Sequence, residues 1–159
     1  MKALVVYYSR SGNTRRVAEI ITNQLQADLQ ELVDLKGRAG LLGWLRAGRD
    51  AMGDKTTDLE PLVFNLDDYD LIVVGSPVWA SHPASAVSTF LQSQDLSGKL
   101  VALFCTMSAR GGEETCAVMK SLIPGVKVVG HLTVAMKKET ADEIDQKITR
   151  WIAQLKGGE

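Results

Sequence analysis

Six consecutive polar or small residues near the start of the chain have types and spacing suited to holding an anion. This first loop is Ser9, Arg10, Ser11, Gly12, Asn13 and Thr14. A glycine between hydroxyl-bearing residues lets backbone N–H groups turn toward one point, and a following helix adds unpaired N–H groups and the positive end of its dipole. The loop could therefore bind a phosphate group. Its serine, asparagine or threonine could instead cap the helix, so the loop alone leaves both interpretations open.

Several kinds of phosphate chemistry lack the residues they need. No G-x-G-x-x-G pattern follows the first apolar run, so the dinucleotide-binding motif is absent. The Gly98-Lys99 pair is followed by Leu100 and does not form a Walker loop. No cysteine lies in the first loop as a phosphatase nucleophile, and no carboxylates follow the first and third predicted strands to hold Mg²⁺. A bound phosphate monoester that does not react remains.

The rest of the chain predicts the elements that would position this loop. Apolar, β-rich runs alternate with amphipathic stretches. Strands are predicted at 2–8, 29–35, 69–76, 99–105 and 127–134, and helices at 14–27, 84–94, 113–122 and 140–155. This alternation predicts an α/β fold with a parallel sheet and helices on both faces. In such a sheet, ligands bind beside the carboxyl ends of the strands, where the strand order reverses.

Two further loops follow predicted strands of this sheet and would reach the same edge. The second loop is Pro77, Val78, Trp79, Ala80 and Ser81, after the third predicted strand. The third loop follows the fourth strand and contains Thr106, Met107, Ser108, Arg110 and Gly111. Small or hydrogen-bonding residues dominate both, and the second loop also carries a large aromatic side chain.

Length, composition and charge narrow the class of protein. A chain of 159 residues, 45% hydrophobic and 23% charged, fits a single globular domain over 1–159. No apolar run approaches the roughly 20 residues of a membrane span, and none suits a secretory signal, so a cytoplasmic protein is expected. Cys105 and Cys116 are predicted to be reduced, buried thiols without a disulfide or a metal. A net charge of -1 gives no sign of nucleic-acid binding.

The motifs resemble those of the flavodoxin-like family. The stretch "VVYYSRSGNTRRVAEII" is similar to the flavodoxin signature for the phosphate of FMN, through Val5, Val6, Tyr7, Ser9, Gly12, Thr14, Ala18 and Ile21. The stretches "GSPVWASHPASAVSTFL" and "LSGKLVALFCTMSARGG" resemble the second and third flavin-binding loops of short-chain flavodoxin-like proteins. The resemblance implies three layers around a five-stranded parallel sheet in the order 2-1-3-4-5, with FMN bound noncovalently.

The resemblance also implies roles for individual residues. The phosphate of FMN would be held by Ser9, Ser11, Asn13 and Thr14, with Gly12 allowing close approach. Arg10 and Arg15 are extra cations nearby, which could strengthen this binding or simply be solvated. Trp79 would stack on the isoalloxazine ring, the alternative being an ordinary core or surface tryptophan. The residues of the third loop would line the other side. That loop lacks the tyrosine of many flavodoxins, which predicts an open second face.

Electron transfer to a redox partner protein is the function that the resemblance implies. A near-neutral charge differs from the acidic surfaces by which flavodoxins steer docking to large partners. An NAD(P)H-dependent FMN reductase acting on a quinone is therefore an alternative, and a flavin-binding sensor or interaction module without turnover is a third. The basic, amphipathic stretch 36–57 is predicted to be an extra helix over the sheet edge, or a lid over the flavin.

Overall fold

Five parallel strands form the central sheet of the computed structural model, which describes residues 1–36 and 57–157. They are β1 (Ala3–Tyr7), β2 (Asp28–Glu31), β3 (Leu71–Trp79), β5 (Leu100–Met107) and β6 (Lys127–Ala135), with β4 described below. Their order, β2-β1-β3-β5-β6, confirms the predicted order of the five strands. The predicted extra helix or lid at 36–57 lies, except for Lys36 and Thr57, outside the described residues.

A sixth, short strand was not predicted. β4 (His82–Pro83) pairs antiparallel with the end of β3, so that Val78 lies opposite Pro83 and Trp79 opposite His82. The two strands form a hairpin whose connection is only Ala80 and Ser81. The prediction of a purely parallel sheet is therefore wrong at the carboxyl end of β3, where β4 pairs antiparallel with it.

β3 and β5 also extend further than predicted. Pro77, Val78 and Trp79 lie within β3, and Thr106 and Met107 lie within β5, although the sequence pattern predicts loops at all five positions. The parallel ladder continues because Pro77 is in register with Thr106. The hairpin with β4 then carries β3 two residues further.

Helices cover both faces of the sheet, as predicted. They are α1 (Asn13–Leu25), α2 (Ser85–Ser93), α3 (Gly112–Ser121) and α4 (Ala141–Gly157), with a 3-10 turn at Leu66–Asp68. Alternate residues of a strand point to opposite faces. Leu4 and Val6 therefore pack in one core cluster with α2 and α3, whereas Val5 packs in the other with α1 and α4. The result is a three-layer α/β fold.

One close contact inside the sheet requires a glycine. A Cβ atom at Gly75 would lie 1.9 Å from Cζ of Phe104, on the neighbouring strand. The Phe104 ring is fully buried and fills the space that a side chain at position 75 would need.

Candidate functional site

The first loop leaves the start of α1 open. Gly12 occupies the N-cap position with φ +97°, and no described side chain caps the helix. Its N–H donates to Oγ of Ser9 at 3.1 Å, which closes the loop on itself. A Cβ at Gly12 would meet nothing within 4 Å. Helix capping by a side chain, the alternative considered from the sequence, is therefore not what this loop does.

Unpaired N–H groups at the first turn make this position electrostatically suited to an anion. The first N–H groups of a helix have no partner within it, and its dipole adds a partial positive charge. Asn13 begins the helix and is exposed, as is Ser11 beside it. The arrangement can bind a phosphate by backbone N–H groups and hydroxyls.

Thr14 connects the first loop to the third. Its side chain is buried, and Oγ1 lies 2.7 Å from Oγ1 of Thr106 on β5. A hydroxyl can donate one hydrogen bond and accept others. The Thr14 hydroxyl can therefore make a further hydrogen bond in addition to the one with Thr106. Direct contact between Thr14 and a phosphate stays a prediction.

The two arginines beside the first loop differ in their surroundings. Nη2 of Arg15 lies 2.8 Å from both carboxylate oxygens of Glu31, and Nε lies 3.3 Å from the Tyr7 hydroxyl. The Glu31 contact raises the pKa of Arg15 above its ordinary value. Arg15 is thus engaged at the end of β2, whereas Arg10 is exposed at the loop.

Ser76 fixes the start of the second loop. Its Oγ accepts the N–H of Ala84 at 2.9 Å and donates to the carbonyl of Pro77 at 2.8 Å. These bonds tie the end of β3 to the start of α2 across the hairpin. No local pattern indicates this role beyond a serine at the end of an apolar run.

The tip of the second loop has an unfavourable backbone conformation. Ala80 and Ser81 have φ of 50° and 60°, in the left-handed region that residues with a Cβ rarely adopt. Both signs match a two-residue hairpin turn with positive φ at each central position. Nδ1 of His82 lies 2.9 Å from the carbonyl oxygen of Ala80, which helps to hold the turn.

Trp79 belongs to one of the two hydrophobic core clusters. The residue is only 7% exposed, and its ring meets that of Tyr8 edge to face, with centroids 5.6 Å apart. In this arrangement the indole presents little free face toward solvent. Stacking of Trp79 on a flavin stays a prediction and requires the indole to leave its present packing.

The second and third loops pack against each other at Gly111. A Cβ at Gly111, where φ is +92°, would lie 3.0 Å from Cγ1 of Val78 and 3.1 Å from Oγ of Ser81. The carbonyl of Gly111 accepts the Thr115 hydroxyl at 2.7 Å, which anchors the loop to α3. A glycine is needed here for both its backbone conformation and the close approach.

A cavity of about 450 Å³ lies between these two loops. We call it the loop cavity; it is lined by Val78, Ala80, Ser81, Met107, Ser108, Ala109 and Arg110. Six of these seven are predicted site residues. Ala109 was missed in the prediction because an alanine between Ser108 and Arg110 carries no chemical signal of its own. Pro77, Trp79, Thr106 and Gly111 lie outside the lining, and the first loop is joined to this region through the Thr14–Thr106 contact.

The described residues offer no sign of a metal centre. Among them, no group of three or more histidine, cysteine, aspartate or glutamate side chains could hold a metal ion. Within residues 1–36 and 57–157, no helix has the length and apolar character needed to cross a membrane.

Comparison with known proteins gives consistent results. The family model described as Flavodoxin matches residues 2–154. A flavoprotein from Lactobacillus acidophilus, solved in complex with FMN, is 25% identical with a TM-score of 0.74, over 95% of this chain and 98% of that one. The oxidised Flavodoxin 2 of Bacillus cereus is 24% identical with a TM-score of 0.60, over 98% and 99% of the two chains. A flavodoxin from the domain Archaea, at 18% identity and a TM-score of 0.65 over 98% and 97%, shares the fold. No curated protein sequence matches the chain.

Proposed function

Because the chain belongs to the flavodoxin family, we propose that it binds FMN noncovalently and transfers electrons through it. The FMN complex of the Lactobacillus acidophilus flavoprotein supports this choice of cofactor. The observation that carries the proposal is the loop cavity at the carboxyl ends of the strands. The Thr14–Thr106 bond joins this cavity to a helix start that no described side chain caps.

The first loop suits the phosphate of FMN. Such a phosphate carries between one and two negative charges at neutral pH, which the dipole and N–H groups at the start of α1 stabilise. Ser9, Ser11, Asn13 and Thr14 supply hydroxyls, an amide and backbone N–H groups around the open space at Gly12. Arg10 is exposed beside them and can add a cation.

The loop cavity suits the ring system of FMN. Its volume of about 450 Å³ lies in the range usual for cofactor sites. Bound FMN supplies the redox chemistry. The residues of the second and third loops then hold the ring, exclude water from one side and set the polarity around it.

NAD(P)H-dependent reduction of a quinone or a similar small acceptor is the second candidate. Four small residues, Ala80, Ser81, Ser108 and Ala109, line much of the loop cavity, and Trp79 is buried and not part of its lining. A bound ring would therefore keep one face free for a nicotinamide. The net charge of -1 gives little electrostatic steering toward a large basic or acidic partner.

The phosphate role of the first loop can be tested by comparing two ligands. FMN and riboflavin share the ring but differ in the phosphate. Ser11 is exposed in the first loop, so Ser11→Ala should weaken FMN binding severalfold and leave riboflavin binding unchanged, as measured by fluorescence titration. Ser93→Ala, at the exposed end of α2, is the matched control. The proposal would be contradicted if Ser11→Ala lost affinity for FMN and riboflavin equally, or if the wild-type protein did not bind added FMN.

The electron donor separates the two candidate functions. FMN-loaded protein that NADPH bleaches rapidly, with turnover on a quinone, is the reductase. Protein that is reduced only through a partner reductase is the carrier. If neither route reduces bound FMN, the proposal of electron transfer fails and a binding module without turnover remains. A cytoplasmic location is part of the proposal, and two free, buried thiols suit a reducing compartment.

A further inference from the structure

Two thiols meet at the base of the third loop. Cys105 and Cys116 are both free and buried, as the sequence predicted, and their Sγ atoms lie 3.2 Å apart. Cys105 lies on β5 directly before Thr106, and Cys116 lies on α3, shortly after Gly111. The pair therefore encloses 106–115, which includes the whole third loop.

We propose that Cys105 and Cys116 form a redox-active pair that closes to a disulfide when a small hydroperoxide oxidises Cys116. A disulfide has a sulfur–sulfur distance of about 2.0 Å, so each sulfur needs to move by only about 0.6 Å. A movement of this size lies within the reach of small changes in the side-chain torsions. The reaction would convert the third loop from an open segment into a covalently closed ring.

A second cavity gives an oxidant access to Cys116. This cavity of about 330 Å³ is lined by residues of α3, β5 and the edge strand β6, and Cys116 is part of its lining. Its volume is many times the roughly 30 Å³ that a water molecule occupies in the liquid, so a small hydroperoxide fits. Cys105 is not part of the lining and is fully buried. The geometry thus distinguishes the sulfur that a peroxide oxidises first, that of Cys116, from the Cys105 sulfur, which then resolves the intermediate.

The surroundings of Cys105 suit a thiol that reacts second. The hydrogen bond with Cys116 and burial raise the pKa of Cys105 well above its ordinary value, so Cys105 keeps its proton and can donate it toward the Cys116 sulfur. Lys120 and His131 line the same cavity as Cys116. Glu113 is the opposing charge, and its Oε2 lies 2.8 Å from Nε2 of His131.

The proposed reaction balances with hydrogen peroxide as the oxidant. The Cys116 sulfur attacks one peroxide oxygen, an S–O bond forms as the O–O bond breaks, and the other oxygen leaves as water with the Cys116 proton. The Cys105 sulfur then attacks the sulfur of Cys116, the S–S bond forms, and the hydroxyl leaves as water with the Cys105 proton. The two sulfurs lose two electrons in total, and the peroxide gains them. A dithiol such as dithiothreitol reverses the change.

Closure should affect the cofactor, a consequence that rests on the proposed function. The ring restricts the third loop, including Thr106, whose hydroxyl contacts Thr14, and the loop-cavity residues from Met107 to Arg110. Restricting a binding loop lowers the entropy lost when it orders around a ligand. FMN is therefore expected to dissociate at least twofold more slowly from the oxidised protein than from the reduced protein.

Peptide mapping tests the disulfide directly, because the chain has no other cysteines. Folded, FMN-loaded protein is treated with a small excess of hydrogen peroxide, alkylated and digested with trypsin. Trypsin cuts after Lys99, Arg110 and Lys120, which places the two cysteines on the separate peptides 100–110 and 111–120. The expected product is this peptide pair, linked within one chain, with a mass lower by two hydrogen atoms and released by dithiothreitol. Two unreacted thiols, or a link between two chains, would overturn the proposal.

Single variants test the order of the two steps. Cys105→Ala should accumulate a sulfenic acid at Cys116 that dimedone labels, and Cys116→Ala should leave Cys105 unreacted. Reaction at Cys105 first would overturn the assignment. If an alanine variant does not fold, Cys105→Ser and Cys116→Ser give the same comparison. The peptide map of the wild-type protein tests disulfide formation without any variant. An unchanged rate of FMN release after complete closure would overturn the effect on the loop, whereas failure to bind FMN at all would leave the thiol chemistry measurable.

Discussion

At the scale of single residues, Gly12 is the position where the first loop depends most on having no side chain. Its φ of +97° is strained for any other residue, and no atom lies within 4 Å of the place that a Cβ atom would occupy. Gly12→Ala should lower the free energy of unfolding by about 1 kcal/mol because of the left-handed backbone. The added methyl group would also enter the space proposed for the phosphate, so FMN affinity should fall tenfold or more. Denaturant titration and fluorescence titration measure the two effects.

Gly125 provides the matched control for that substitution. It has a similar φ of +82°, also faces open space, and lies between α3 and β6, away from the three loops. Gly125→Ala should cost a similar free energy of unfolding and leave FMN affinity unchanged. A comparable loss of FMN affinity in both variants would show that Gly12 acts through stability and not through the phosphate.

Trp79 shows what residue types alone do not reveal. A tryptophan that stacks on a ligand and one that packs in the core can both follow a strand rich in valine. The structure places its ring against Tyr8, a residue 71 positions away in the chain and part of a different strand end. Its present surroundings depend on this long-range packing, which the local sequence does not contain.

At the scale of elements, the hairpin of β3 and β4 carries its strain at Ala80. Ala80→Gly relieves a left-handed conformation that costs roughly 1 to 2 kcal/mol, offset by about 0.5 to 1 kcal/mol of extra chain entropy. The variant should therefore be more stable by about 0.5 kcal/mol, measured by denaturant unfolding. Ala153→Gly, at an exposed position in α4, should have the opposite sign, with a loss of about 1 kcal/mol. A lower free energy of unfolding in both variants would contradict the presence of strain at Ala80.

The bond between Thr14 and Thr106 couples α1 to β5. Thr14→Val and Thr106→Val should each lower the free energy of unfolding by about 1 to 2 kcal/mol, because each leaves a buried hydroxyl without its partner. The double variant removes both hydroxyls, so it should cost less than the sum, with a coupling of about 1 kcal/mol in a double-mutant cycle. Additive effects in the apoprotein would mean that the contact contributes nothing to stability.

The sequence predicted elements more successfully than their ends. Continuous or alternating apolar runs identified the five parallel strands, and their alternation with helices predicted the parallel sheet. The strand order was implied by the family resemblance alone. β4 was missed because His82–Pro83 has no apolar pattern and Ala80-Ser81 is not a usual hairpin turn. The ends of β3 and β5 were missed because pairing between strands, as between Pro77 and Thr106, extends them beyond their apolar residues.

At the scale of the whole molecule, Tyr69 connects strands near the amino ends of the sheet, opposite the candidate site. Its hydroxyl donates to Oδ2 of Asp28 at 2.7 Å, Nζ of Lys2 lies 4.6 Å from its ring centroid, and Nζ of Lys99 donates to its carbonyl. Burial, followed by the Asp28 contact, raises the pKa of Tyr69 from 10.0 to about 12. The folded protein therefore holds this proton more tightly than the unfolded chain.

The sign of the resulting pH dependence follows from that difference. The stabilisation is fully present below pH 10 and is lost as the pH rises toward about 12. Tyr69→Phe should show a smaller fall in the free energy of unfolding across this interval, with FMN affinity at neutral pH unchanged. Some fall should remain, because burial also raises the pKa of Tyr7. An identical alkaline fall in Tyr69→Phe and wild type would rule out this origin.

The contact between Gly75 and Phe104 has a consequence for how such chains can diverge. Because the phenyl ring occupies the volume of a side chain at position 75, neither residue can change freely while the other stays. A larger residue at position 75 becomes possible only after Phe104 has been replaced by a residue with a smaller side chain. We therefore expect the two positions to vary as a pair among descendants of a common ancestor. A small residue at one position would be accompanied by a large residue at the other, on the adjacent strand, and either position could hold the large one.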